Sequence, residues 1–310
     1  WANNSDFWIR GISTFGNASN RPLVLIDGVE RNLNNIDPEE IESFSVLKDA
    51  AASAVYGVRG ANGVIIINTK RGKIGAPKVT ARFERAQTSP TKLPEYVGAV
   101  KYLEIMNEYN KNSGSPAFRS EEIINNYRSK VDPELYPDIN WWNVIAKSHA
   151  SNMRANANVS GGNNFLRYAL EMAYFDEEGI IKRDPEQEWN SALQVKRYNV
   201  RSNVDVNLSP TTLLTFRLGG FLQTKNGPAS APPGSLSDAP RSATDVDIFY
   251  QASMTPPYVH PAIYKGGQIP RIPFRENPWA FATQRGYENW YQQGIESSTT
   301  LEQDLKFILK

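Results

Sequence analysis

After about residue 75, apolar and polar side chains alternate with a period of two over long stretches, the spacing of β-strands whose two faces meet different surroundings. In residues 153–160 the apolar set is Met153, Ala155, Ala157 and Val159, interleaved with Arg154, Asn156, Asn158 and Ser160. Residues 166–175 set Leu166, Tyr168, Leu170, Met172 and Tyr174 against Arg167 and Glu171. Tyr198, Val200, Val204, Val206 and Leu208 oppose Arg197, Asn199, Arg201, Asn203, Asp205 and Asn207, and Leu214, Phe216, Leu218 and Leu222 oppose Thr215, Arg217, Gln223 and Lys225. Weaker cases are Val79, Ala81 and Phe83 against Lys78, Arg82 and Glu84, and Leu301, Leu305, Phe307 and Leu309 against Glu302, Asp304 and Lys306. The pattern predicts six antiparallel strands. Turns at 161–164 and 209–212 are tight, while the connections 87–150, 176–191 and 226–294 are long, so short and long alternate.

Residues 1–75 read differently, as compact α/β structure. Pro22, Leu23, Val24, Leu25 and Ile26 form a buried strand stopped by Asp27-Gly28, and residues 64–67 form another after the Asn62-Gly63 turn. Asp37-Pro38-Glu39-Glu40 carries the marks of a helix start, with a capping Asp, Pro at the first position and acidic residues at the positive end. A short helix to about Ser43 is expected, then a strand at residues 45–47. A second helix, capped by Asp49, covers residues 50–56 and is closed by Gly57 in the left-handed conformation.

Half-buried strands of a soluble sandwich alternate too. Length and loop parity favour a membrane barrel. Soluble strands run ~5–6 residues, whereas residues 192–208 hold their pattern for roughly three times that; at ~3.3 Å per residue they reach across a ~25 Å apolar band even when tilted. Outer-membrane barrels also keep short turns on the periplasmic side and long loops outside. Composition removes other classes. Lys+Arg 34 against Asp+Glu 33 gives a net charge of +1 and no field directed at nucleic acid. The absence of Cys excludes disulfides, thiolate zinc sites and cysteine nucleophiles. No apolar run approaches the ~20 residues of a membrane helix, and a mean hydropathy of −0.49 suits a barrel whose faces average out.

The motifs then identify a family. Ile9-Arg10-Gly11, Leu25-Ile26-Asp27-Gly28-Val29, Val46-Leu47-Lys48-Asp49-Ala50-Ala51 and the run Tyr56-Gly57-Val58-Arg59-Gly60-Ala61-Asn62-Gly63, continuing through the strand to Lys70, resemble the plug of TonB-dependent outer-membrane transporters. The Lys48-Asp49 and Arg59-Gly60-Ala61-Asn62-Gly63 forms resemble the SusC/RagA branch of Bacteroidota. A weaker resemblance lies at Val159-Ser160-Gly161-Gly162-Asn163 with Tyr168, a turn between early barrel strands. The resemblance implies an α/β plug (1–75, its later part) followed by the first antiparallel transmembrane β-barrel strands (76–310) of a plugged barrel of about 22 strands. With Trp1 in place of an initiator Met, no TonB box and too few strands to close a barrel, a portion of a longer chain is expected.

The implied function is active import of a large nutrient, glycan or peptide, across the outer membrane of a Gram-negative, Bacteroidota-type bacterium. The implied partners are a SusD-like surface lipoprotein, TonB with ExbB and ExbD, and outer-membrane lipid. A surface adhesin or signalling receptor is the alternative. No catalytic, cofactor or metal site is expected: Gly57, Gly60 and Gly63 have the wrong spacing and order for a nucleotide loop, Asp245 and Asp247 lack the rest of a calcium loop, and His149 and His260 have no partner at motif spacing. In the long loops, Trp141, Trp142, Trp279, Tyr287, Trp290 and Tyr291 are candidate ligand or lid contacts, since flat aromatic faces suit sugars, peptide side chains and protein interfaces. Loop self-packing is the competing role. The lumen-facing Arg154, Arg167, Glu171, Arg197, Arg201, Asp205 and Arg217 predict a wet interface between plug and wall.

Overall fold

The computed structural model describes residue 9 and residues 21–48, 54–60, 62–229, 244–271 and 276–305. Arg10, Gly11 and Asp49 of the plug motifs, and Phe307 and Leu309 of the last predicted strand, lie outside the described residues. The N-terminal unit is a mixed sheet in the order β2-β1-β4-β3. Strand β1 (Leu23–Ile26) turns into β2 (Val29–Glu30) through Asp27 and Gly28, both at positive φ (51° and 83°), as a two-residue hairpin of matching twist requires. Central β4 (Val64–Thr69) runs parallel to β1 and antiparallel to β3 (Ile41–Leu47). Leu23, Leu25 and Val64 form the core of one face; Ile26, Ile36, Ile65 and Ile67 form that of the other.

The helix expected to reach Ser43 is a single 3-10 turn, Pro38–Glu40. Its start signal is real, for the Asp37 side chain accepts the Glu39 backbone N–H at 2.9 Å. The helix stops there because β4 offers Ile41–Leu47 a ladder of backbone partners, and strand β3 is therefore longer than residues 45–47. Residues 54–56 are helical and Gly57 follows at φ +59°, the left-handed closure expected of it.

Six strands make the second sheet, an antiparallel meander in the order β10-β9-β8-β7-β6-β5. They are β5 (Gly75–Thr88), β6 (Ala150–Gly162), β7 (Leu166–Glu178), β8 (Gln194–Ser209), β9 (Thr212–Pro228) and β10 (Tyr287–Gln303). Both tight turns stand where expected; in the first, Asn163 Oδ1 accepts from the N–H groups of Phe165 and Leu166 at 2.8 Å. The last strand differs from expectation. It begins at Tyr287, well before Leu301, because β9 pairs with it continuously from Tyr287↔Pro228 to Gln303↔Thr212. Residues 288–294 (Glu-Asn-Trp-Tyr-Gln-Gln-Gly) do not alternate, so periodicity alone reads them as loop.

The sheet is inside out by the standard of a soluble protein. Its polar rows are covered by the N-terminal unit: Asn156 is 9% exposed, Glu171 5%, Asn199 7%, Arg201 6% and Asn203 4%. The alternate apolar row faces away, with Met172, Tyr198, Val200, Phe216, Leu222 and Ile295 all exposed. A sandwich buries the apolar row, so this arrangement removes that alternative. Along β8 the outward apolar positions run from Tyr198 to Leu208, about 33 Å of strand at ~3.3 Å per residue, or about 23 Å at a 45° tilt, close to the height of a barrel's apolar band.

Candidate functional site

Two structures built on the six-stranded wall are the candidate functional sites: the seam with the N-terminal unit, and a folded cap at the long-loop end. The seam follows from the period of β8, which aims every second side chain inward. Arg197 donates to the Asn34 carbonyl. Asn199 donates to the Asn35 carbonyl (3.1 Å) and to Glu40 Oε1 (3.2 Å), and Arg201 Nε to Glu40 Oε2. Asn203 donates to Thr69 Oγ1 (2.8 Å) and the Lys70 carbonyl (2.7 Å). On β6, Arg154 Nη2 meets Asp37 Oδ1 at 2.6 Å; on β9, Arg217 reaches the Asp27 carbonyl at 3.2 Å. In these contacts the wall donates and the N-terminal unit accepts. Two contacts run the other way, Arg31 to Glu296 (3.1 Å) and Lys70 to Glu171 (3.9 Å).

The direct side-chain bonds across the seam are thus polar, with inward-facing Phe221 beside Ile26 and Ile36 as an apolar patch among them. Each such hydrogen bond is worth a net ~0.5–1.5 kcal/mol, or ~1.5–3 with a charged partner, because water can replace it. Burial pushes the Glu40 carboxyl above the usual carboxylate range, against the opposing pull of Arg201. A cavity of about 10 Å³ lies beside the pair, bordered by the apolar Ile26, Ile36 and Phe221 as well as by Asn32, Asn35, Arg201 and Glu296, with room and polar partners for about one water. Gly219 makes space for the guanidinium, since an added Cβ would stand 2.9 Å from Arg201 Nη1.

The cap is assembled from all three long connections. They carry helices α1 (Ala99–Asn112), α2 (Glu121–Ser129), α3 (Trp141–Ile145), α4 (Thr244–Met254) and α5 (Pro278–Thr283). One core joins Trp141, Ile145 and Ala146 of the first connection to Ile181 and Leu193 of the second and Ile248, Ala252 and Ala282 of the third. Hydrogen bonds stitch the same junctions: Ile139 N–H to the Pro257 carbonyl (2.9 Å), Lys182 N–H to the Ile145 carbonyl (2.8 Å), and Gln284 Nε2 to Asp184 Oδ2 (2.6 Å). Hydrophobic periodicity alone reads these helices as loop. The Ser120 cap with Glu121 and Glu122 behind it, and Asn277-Pro278 with its side chain on the Trp279 N–H, are the signals that mark them.

Residues 2–64 match the family model of the TonB-dependent receptor plug domain. TonB-dependent receptor P26 of Formosa agariphila is 32% identical over 218 residues, covering 67% of this chain and 20% of that protein. SusC of Bacteroides thetaiotaomicron is 33% identical over 186 residues, covering 56% of this chain and 17% of SusC. The RagAB peptide importer, solved in a closed-closed state, superposes with a TM-score of 0.59 at 23% identity, over 88% of this chain and 32% of that one. The chain belongs to the TonB-dependent receptors. It spans about a fifth of the length of the curated relatives it matches, and the fold is that of a plug followed by antiparallel strands of a plugged barrel.

In this receptor segment the plug motif residues hold local structure and one edge of the seam. Asp27 ties the β1–β2 turn to the end of β4, accepting from Thr69 N–H (3.0 Å) and Thr69 Oγ1 (2.7 Å), beside Gly28. Lys70 reaches Glu39 (3.6 Å) and Glu171, joining plug to wall. Arg59 pairs with Glu30 at the surface, Tyr56 packs on the Leu23–Leu25–Val64 cluster, and exposed Lys48 follows β3. The Gly63 N–H bonds the Gly60 carbonyl at 2.9 Å across Asn62, and Gly63 sits at φ +93° with Ile9 above it.

The aromatic candidates separate. Trp141 is 3% exposed inside the cap core, and Trp142 stacks on Phe249 at 4.8 Å, so both serve packing. Trp279 is half-buried in α5. Tyr287, Trp290 and Tyr291, expected in the loop to 294, stand on β10 and are exposed. Register puts Trp290 on the inward face with Glu296, and Tyr287 and Tyr291 on the outward face with Ile295.

Proposed function

We propose that the chain is part of an energised outer-membrane importer that takes up a glycan or peptide with a SusD-like surface lipoprotein over its loops, and with TonB, ExbB and ExbD supplying the work. The observation that carries the reading is the seam. A plug held by exchangeable hydrogen bonds and ion pairs, with Arg197, Asn199, Arg201 and Asn203 gripping it from one strand, can be drawn away while the wall keeps its own backbone ladder. An apolar plug–wall core would resist that. The RagAB neighbour, a peptide importer, supports the peptide arm, and the SusC relative supports the family's outer-membrane setting. In this orientation the cap faces outward and the turns at Asn163 and Thr211 face the periplasm.

The test is uptake of labelled oligosaccharide and peptide pools by cells carrying the whole receptor, with and without the inner-membrane motor. Surface binding is expected to persist without the motor while accumulation stops. Accumulation independent of the motor sinks the importer reading, and binding with no accumulation in either case supports the adhesin.

A further inference from the structure

One glycine of the wall has no local reason to be a glycine. Gly161, Gly162, Gly219, Gly227 and Gly294 each leave a Cβ too little room, and Gly75 sits at φ +152°. At Gly220 neither holds: an added Cβ would make ordinary contacts, 3.4 Å to the Gly294 carbonyl, 3.6 Å to Val200 Cγ1 and 3.9 Å to Ile295 Cγ1. Glycine inside a strand weakens it. Its effect here is a notch in the outward face, a concavity of about 590 Å³ bordered by Tyr198, Val200, Gly220, Leu222, Gly294 and Ile295.

The notch lies within the apolar band, and the row above it changes chemistry. Register places Lys196, Thr224 and Tyr291 side by side on the outward face, four residues or about 13 Å along the strand from Val200, Gly220 and Ile295. Lys196 makes no ion pair among the described residues, because its cross-strand neighbour Asp176 is engaged by Tyr174 Oη (3.0 Å) and Gln194 Nε2 (2.9 Å). A free ammonium and a tyrosine at the band's edge, over an apolar slot at acyl depth, match a lipid carrying a phosphate. Resting on the reading of this face as lipid-facing, we propose that the Gly220 notch retains one phosphate-bearing lipid, with an acyl chain in the slot and the phosphate at Lys196.

The test is native mass spectrometry of the whole receptor purified in mild detergent, supplied with dioleoyl phosphatidylglycerol or uncharged dioleoylglycerol. One phosphatidylglycerol per receptor is expected on the wild type. Gly220→Leu should lower its retention by about tenfold, Lys196→Gln should weaken phosphatidylglycerol and leave dioleoylglycerol unchanged, and Ala157→Leu, adding the same bulk to the outward face of β6, should change neither. Equal loss in Gly220→Leu and Ala157→Leu means bulk lipid and overturns the proposal, as does undiminished retention in Gly220→Leu. Copies cross-linking through Ile295→Cys with no lipid retained overturns it in favour of a second receptor on this face. A wild type that inserts normally and retains no lipid refutes the site alone; failure to insert into membranes refutes the barrel reading instead.

Discussion

Breaking the Glu40–Arg201 pair should reveal how firmly the plug is seated. Glu40 is 2% exposed and Arg201 6%, and among the described residues the other side chain bonded to Glu40 is Asn199 at 3.2 Å. Arg201→Met leaves a buried carboxylate held by the Asn199 amide and the Asp37 backbone but with no counter-charge, a loss of about 3–5 kcal/mol by analogy with other buried pairs. Glu40→Gln strands the guanidinium, which cannot shed its charge, and should cost a similar amount. The double variant removes both charges and should cost about 2–3 kcal/mol less than the sum of the single variants. Burial already raises the Glu40 pKa, and losing Arg201 raises it further. A raised carboxylate pKa favours the folded state at low pH and opposes it as pH rises through the folded value, so the defect of Arg201→Met should ease on acidification and that of Glu40→Gln should not. Hydrogen exchange of the plug amides at residues 33–41 and 64–70, read in the whole receptor, measures all four proteins. Additive single costs, or an Arg201→Met defect below about 1 kcal/mol, would refute the view that this pair anchors the plug.

Three further outcomes follow from the geometry. Val204→Arg, on the outward face, should cost about 2–4 kcal/mol near the bilayer midplane, while Gln292→Arg, inward and exposed, should stay within about 0.5 kcal/mol; equal costs in reversible unfolding from vesicles would contradict the assigned faces. Gly57→Val should destabilise the plug by about 1–3 kcal/mol, because φ +59° is a left-handed position, and Gly60→Val should act less strongly through φ, with plug melting as the measurement. His260 is buried edge-on to Trp141, and burial lowers its pKa. Its contribution to cap stability is fully present above the unfolded value near 6.5 and is lost as pH falls through the lowered folded value; His260→Phe should remove that dependence from exchange of the cap amides.

The wall was legible in the sequence because its two faces meet opposite surroundings, and a period-two signal survives only under that condition. Arg197, Asn199, Arg201 and Asn203 could be placed inward, but their partners could not, since Glu40 and Thr69 are more than a hundred positions away. The same limit explains β3. A capped Asp-Pro-Glu-Glu start is local, while the pull of β4 on Ile41–Leu47 is not. In the cap, the aromatic residues announced themselves as a class without revealing which of them pack. Trp141 and Trp290 look alike in sequence, yet one lies in a core built from three connections and the other on an exposed strand face.

The shared core of the cap constrains how this surface can change. Loops that fold independently can be lengthened, shortened or exchanged one at a time, which is how many binding proteins diversify. Here a new first connection must still present a Trp141-like ring to α4 and leave the Ile145 carbonyl for Lys182 N–H, so its admissible sequences depend on the other two. Variation at residues 89–149, 179–193 and 229–286 is therefore expected to be correlated, and a chimera intended to move recognition from one receptor to another has to carry the three segments together.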